Sequence, residues 1–193
     1  YKDRVTYWSM WNEPNITNFW TPDPDPEDYT RLMKMSYEAM KRADPDAKMC
    51  APVLAPLGGW DRKFAEGVFQ NGGGEYFDVW DYHYYRHYGP EEEVPRELAE
   101  IRALMRRHGK EKPIWISEAG VASVLNGEKD LDKQASLVVR NHLLTLALGV
   151  DRFFYFDLQN WRDNEPETWD TQLGLVNAAG EKKPSFHAYQ TMV

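Results

Sequence analysis

Five short apolar runs alternate with stretches of helical periodicity along this chain, and few folds accommodate that alternation. Strands joined by crossover helices pair in parallel, so the pattern implies a parallel sheet covered by helices. The first strand is read at about Arg4 to Trp11. A helix then begins at Pro26, Glu27 and Asp28, carries Leu32, Met33, Tyr37 and Met40 at helical spacing, and stops at Ala43-Asp44-Pro45. A second strand covers about Met49 to Leu54, followed by a short helix from Arg62 to Gln70. The third strand, Phe77 to Tyr84, leads to a helix that starts near Pro95 with Leu98, Ile101 and Met105 on one face and ends at His108-Gly109. The fourth strand, Pro113 to Ser117, precedes a helix from Leu131 to Leu148, and the fifth, Arg152 to Leu158, precedes a last helix from Lys183 to Met192. Nearly continuous apolar runs such as Ile114-Trp115-Ile116 suit strands covered on both faces. No repeat, low-complexity tract or linker divides the chain, so residues 1–193 read as one unit.

Two strand ends carry chemistry. Trp11-Asn12-Glu13-Pro14-Asn15 closes the first strand, and Trp115-Ile116-Ser117-Glu118-Ala119-Gly120 closes the fourth. A carboxylate directly after an apolar strand sits at the mouth where parallel barrels keep their active sites. Glycosidic cleavage needs two such groups: one protonates the leaving oxygen while the other attacks the anomeric carbon. In the retaining version they stand about 5–5.5 Å apart.

With Asn-Glu-Pro after one strand and Ile-Ser-Glu three strands later, the chain resembles the large clan of retaining glycosidases built on (β/α)8 barrels. That clan includes cellulase-like, xylosidase-like and iduronidase-like enzymes. The resemblance implies Glu13 as acid/base and Glu118 as nucleophile, with Asn12 hydrogen-bonding the sugar 2-hydroxyl. It covers most of the chain, including Gly174-Leu175-Val176-Asn177 and the ending Lys183-Pro184-Ser185-Phe186-His187-Ala188-Tyr189. In the run Asp81-Tyr82-His83-Tyr84-Tyr85, His83 would line the sugar site and Tyr85 would hydrogen-bond the nucleophile. Trp161 would be the aromatic platform under the sugar ring. In the clan the acid/base follows strand four and the nucleophile strand seven, and the spacing here agrees. The expectation is therefore an α/β fold of TIM-barrel type, a C-terminal portion holding strands four to eight.

Other residues read less functionally. Trp20, Trp60 and Trp169 are loop aromatics that can simply cover a rim. His83 and His87 have metal-ligand spacing but stand at a strand end and in a loop, so no metal is expected. Asp163, Glu165, Glu167 and Asp170 read as a solvated acidic loop rather than a calcium site. Asn15-Ile16-Thr17 fits a glycosylation pattern inside the proposed site, and is read as coincidental. Cys50, the single cysteine, reads as core and excludes an intrachain disulfide. There is no nucleophile-elbow or phosphate-loop motif, and no cofactor is expected.

A formal net charge of −8 argues against a nucleic-acid partner, and no run approaches the roughly 20 apolar residues that span a membrane. An aromatic content of 14% suits a neutral partner that stacks on rings, such as an oligo- or polysaccharide. No secretory leader is legible at Tyr1-Lys2-Asp3-Arg4, although a chain lacking its front segment is compatible with secretion. Three accounts of the missing strands stay open: a piece of a longer protein, half of an assembly, or a barrel relative that binds sugar without cleaving it. Open sheet edges would favour self-association.

Overall fold

A computed structural model describes residues 1–56, 61–85, 93–161 and 167–193. Trp60, His87, Asp163 and Glu165 lie outside the described residues. The elements are β1 (Tyr7–Ser9), α1 (Pro26–Ala43), β2 (Lys48–Leu54), α2 (Arg62–Gln70), β3 (Val79–Tyr85), α3 (Glu93–Arg107), β4 (Ile114–Gly120), β5 (Val124–Leu125), β6 (Glu128–Lys129), α4 (Leu131–Ala147), β7 (Arg152–Tyr155) and α5 (Pro184–Met192). Five strands form one sheet in the order β1-β2-β3-β4-β7, and β5 pairs with β6 as a separate ribbon. The β1–β2 and β2–β3 pairings are parallel, with Tyr7 opposite Lys48 and Cys50 opposite Val79. This is the strand–helix succession of a (β/α)8 barrel, and the chain holds part of one. Among the described residues no helix is long and apolar enough to cross a membrane.

The chain divides into two compact units, Tyr1–His83 with Pro95–Ser117 and Tyr84–Val94 with Glu118–Val193. In the first, β2 is buried from Met49 to Leu54, as a strand covered on both faces must be. Cys50, Val79 and Trp115 form one cluster, and Leu98, Ile101, Leu104 and Met105 of α3 are buried. The ends of α1 follow from local chemistry. Asp25 accepts hydrogen bonds from the Glu27 and Asp28 backbone N–H groups at 2.7 and 3.3 Å, Pro26 opens the helix, and Lys41 and Arg42 lie in its last turn. Asp61 caps α2 through the Phe64 N–H at 3.0 Å.

In the second unit, Val121, Leu137, Val138 and Leu175 pack with Tyr155, Phe186 and Tyr189. Gln134 of α4 is fully buried, its amide nitrogen 2.8 Å from the Val121 carbonyl and its oxygen accepting from Ser185 at 3.1 Å. Asp130 caps α4 through the Lys133 N–H at 2.8 Å.

Three strands end two or more residues away from the sequence expectation. β1 stops at Ser9 rather than Trp11, because Trp11 and Glu13 take positive φ values of 67° and 45° that a strand cannot hold. β4 continues to Gly120, so Glu118 lies within a strand rather than directly after one. β7 ends at Tyr155 instead of Leu158, and the Phe156–Asp157 peptide bond is cis. The β5–β6 ribbon was not expected. Its signal was Asn126-Gly127, whose φ values of 52° and 81° suit the two-residue turn that Asn-Gly favours.

Tyr29 ties these pieces of the first unit together. It is fully buried, and its hydroxyl sits 3.2 Å from the Met10 carbonyl and 3.1 Å from that of Pro52. Tyr29→Phe removes the single hydroxyl proton that these two carbonyls share and should cost about 1–3 kcal/mol of folding free energy in urea titration. A loss below about 0.5 kcal/mol would show that the hydroxyl contributes nothing there.

Candidate active site

Glu13 is placed by an irregularity in β2. The β2–β3 register shifts between Pro52 and Leu54, and Val53 between them has φ 52°, which β-branched residues rarely adopt. The carbonyl freed at that bulge accepts the Glu13 backbone N–H at 3.0 Å. Two residues on, the Asn15 side chain imitates a strand: Oδ1 accepts from the Ala55 N–H at 2.8 Å, and Nδ2 donates to the Ala55 carbonyl at 3.1 Å. Asn15 is buried with its amide committed at both ends, which leaves no place for a glycan. Left-handed backbone at Trp11 and Glu13 costs on the order of 1–3 kcal/mol per residue, so the bonds from Val53 and Ala55 must hold the loop in place.

The Glu13 carboxylate is mostly buried, its side chain 12% exposed, and Oε1 lies 2.7 Å from Nδ1 of His83. His83 itself is buried on β3. Asp81, two residues earlier and therefore on the same face of the strand, is fully buried. Its Oδ1 accepts the Ser117 backbone N–H at 3.1 Å. Burial pushes the Asp81 carboxyl up to about 6, against the opposing pull of Ser117 hydrogen bonding and of nearby His83. Asn12 is partly buried beside Glu13 in the chain.

In the second unit, the Tyr85 hydroxyl donates to Oε2 of Glu118 at 2.6 Å, a short bond of the charge-assisted kind. The approach depends on Gly120. A Cβ there would stand 2.5 Å from the Phe156 carbonyl oxygen and 3.0 Å from the Tyr85 ring. Trp169 meets the Tyr85 ring edge-on with centroids 6.0 Å apart, a position that loop composition alone did not single out. Trp161 is about half exposed at 53%, and its indole N–H donates to Asp157 Oδ2 at 2.7 Å.

The remaining candidates have structural partners. Trp20 packs edge-on against both Trp11 and Tyr29, so it belongs to the packing under the Glu13 loop. Glu167 pairs with Lys129 at 2.7 Å and Asp170 accepts from the Thr168 hydroxyl. Cys50 is buried, as expected of a core residue. Asp81 escaped the sequence reading, although an acidic residue inside the apolar run Val79-Trp80-Asp81-Tyr82 was the signal for it.

These motifs on a barrel-type sheet define a class, the glycosidase (β/α)8 fold. Within it the chain belongs to glycosyl hydrolases family 39, whose model matches residues 2–193. A beta-xylosidase from Geobacillus stearothermophilus is 25% identical over 211 residues, which cover 96% of this chain and 40% of that protein. Among solved structures, a family 39 glycoside hydrolase from the gut symbiont Bacteroides cellulosilyticus WH2 is 26% identical with a TM-score of 0.69, matching 99% of this chain and 41% of that one. A glucosidase from Croceicoccus marinus is 18% identical with a TM-score of 0.80 over 97% and 39% of the two chains, a likeness of fold alone. The chain thus spans about 40% of the length of the relatives it matches.

The raised Asp81 carboxyl has a stability consequence. A carboxyl that binds its proton more tightly when folded contributes stability below its unfolded value of 3.8 and loses it as pH rises through about 6. Asp81→Asn keeps an acceptor for Ser117 and removes that titration. Between pH 4 and pH 7, wild type should lose on the order of 2 kcal/mol more folding free energy than the variant in urea melts. Parallel pH profiles would show that Asp81 does not titrate there.

Proposed function

We propose that this chain carries the catalytic carboxylates of a retaining β-glycosidase, with Glu118 as nucleophile and Glu13 as acid/base. The observation that carries this reading is that each glutamate has its own dedicated partner from β3: His83 for Glu13 and Tyr85 for Glu118. Solvated rim glutamates have no need of such partners. Family 39 membership supports the same chemistry.

In the first step Oε1 of Glu118 attacks the anomeric carbon, the glycosidic bond breaks, and Glu13 delivers its proton to the departing oxygen. A glycosyl ester on Glu118 and a free alcohol result. The Tyr85 hydroxyl, bonded to Oε2, aims the carboxylate so that Oε1 faces the anomeric carbon. Nδ1 of His83 lies against Oε1 of Glu13, and this scheme assigns the transferred proton to the other oxygen. In the second step ionised Glu13 takes a proton from water, the oxygen attacks the same carbon, and Glu118 departs as carboxylate. Asn12 would bond the 2-hydroxyl and Trp161 would stack under the ring. The name of the Geobacillus relative makes β-xylosides the first substrates to try.

Azide rescue separates the two roles. In Glu118→Ala, turnover of an aryl β-xyloside should vanish, and azide should restore it with formation of the α-glycosyl azide. In Glu13→Ala, hydrolysis should fall about 10²–10⁴-fold for poor leaving groups, and azide should give the β-glycosyl azide. Exchanged product configurations would reverse the assignments, and unchanged rates would remove them. A chain that binds xylo-oligosaccharides yet never turns over would favour a sugar-binding role instead.

A further inference from the structure

Lys183 opens α5 and is only 6% exposed, which is rare for a lysine. Its Nζ lies 3.0 Å from Asn160 Oδ1, 3.3 Å from Ser123 Oγ and 3.5 Å from the Gln172 carbonyl. The three N–H bonds of an ammonium thus meet three uncharged acceptors. Burial, and then Lys129, push this amine down to about 8, while Asp157 and Glu167 pull the other way. Lys129 and Glu167 pair with each other at 2.7 Å, so Asp157 is the carboxylate left to answer Lys183.

We propose that Lys183 is a positioning residue for Trp161, its ammonium ordering the 157–161 segment that presents the indole. Two routes converge on the same cation. Through the backbone, Lys183 fixes the Asn160 amide so that Nδ2 donates to Gln172 Oε1 at 2.7 Å, and the next residue, Trp161, donates its N–H to the Thr171 carbonyl at 3.1 Å. Through the side chain, the indole N–H is held by Asp157, whose carboxyl is raised chiefly by burial and steadied as an anion by the Trp161 bond and the Lys183 charge. An uncharged amine at Lys183 removes one donor and a positive charge that favours the Asp157 carboxylate. A methionine removes both routes.

The inference rests on Trp161 being the sugar platform, but its test needs no sugar, so the two can fail separately. The whole chain is labelled with ¹⁵N at tryptophan and ¹³C at lysine, and Trp161→Phe and Lys183→Arg assign the two signals. From pH 5.5 to 10, the Trp161 indole resonance should shift with a single midpoint near 8, matched by the Lys183 carbon signal. In Lys183→Met the indole should stay still between pH 6.5 and 9.5. An indole that ignores pH in wild type overturns the proposal, as does one that moves only at acid pH with Asp157 or titrates unchanged in Lys183→Met. Should Lys183→Met fail to fold, the wild-type midpoints decide: coincidence supports the proposal, and separation by more than one pH unit overturns it.

Discussion

The period-two alternation of β3 is the constraint on which the site depends. Successive side chains of a strand face opposite ways, so in the first unit Asp81 and His83 share one face of β3. That face supplies a ring nitrogen to Glu13 and a carboxylate to the Ser117 backbone N–H, while within the second unit Tyr85 gives its hydroxyl to Glu118. A one-residue slip of register would turn Asp81 and His83 away together. The covering of β3 on both sides, with Val79, Trp80, Tyr82 and Tyr84 also buried, resists that slip.

Around this strand the chain accepts local cost to place polar groups. Positive φ at Trp11, Glu13 and Val53 and full burial of Asp81 all oppose folding on their own. They persist because neighbours are over-determined: Asn15 is bonded twice to Ala55, and Tyr29 spans two carbonyls. Lys183 is the counterpart in the second unit, a buried cation surrounded by three acceptors. The left-handed backbone at Trp11 and Glu13 and the buried Asp81 stand where chemistry is proposed, while α1 and α4 follow ordinary capping rules.

How much was legible follows from the range of each signal. Local signals were accurate. The Pro26-Glu27-Asp28 start of α1 and the Leu98, Ile101 and Met105 face of α3 placed those helices within a few residues, and α2 matched from Arg62 to Gln70. The two glutamate motifs pointed to the glycosidase clan because each is contiguous in sequence. What escaped depends on contacts far apart in the chain. The bulge at Val53 exists to meet Glu13, forty residues away, and no periodicity announces it. Lys183 looks like a solvated charge within Glu181-Lys182-Lys183, and only packing against Ser123 and Asn160 shows otherwise. Trp169 reads as one more loop tryptophan until it meets Tyr85.

The central claim is that Glu118 forms the covalent bond to sugar. Peptide mapping by mass spectrometry, after incubation with 2-deoxy-2-fluoro-β-xylosyl fluoride and a panel of related fluoroglycosides, addresses it most directly. The account predicts one fluoroglycosyl adduct per chain, on the peptide bearing Ser117-Glu118-Ala119. An adduct on another carboxylate, or a folded chain that takes no label from any sugar in the panel, would contradict it.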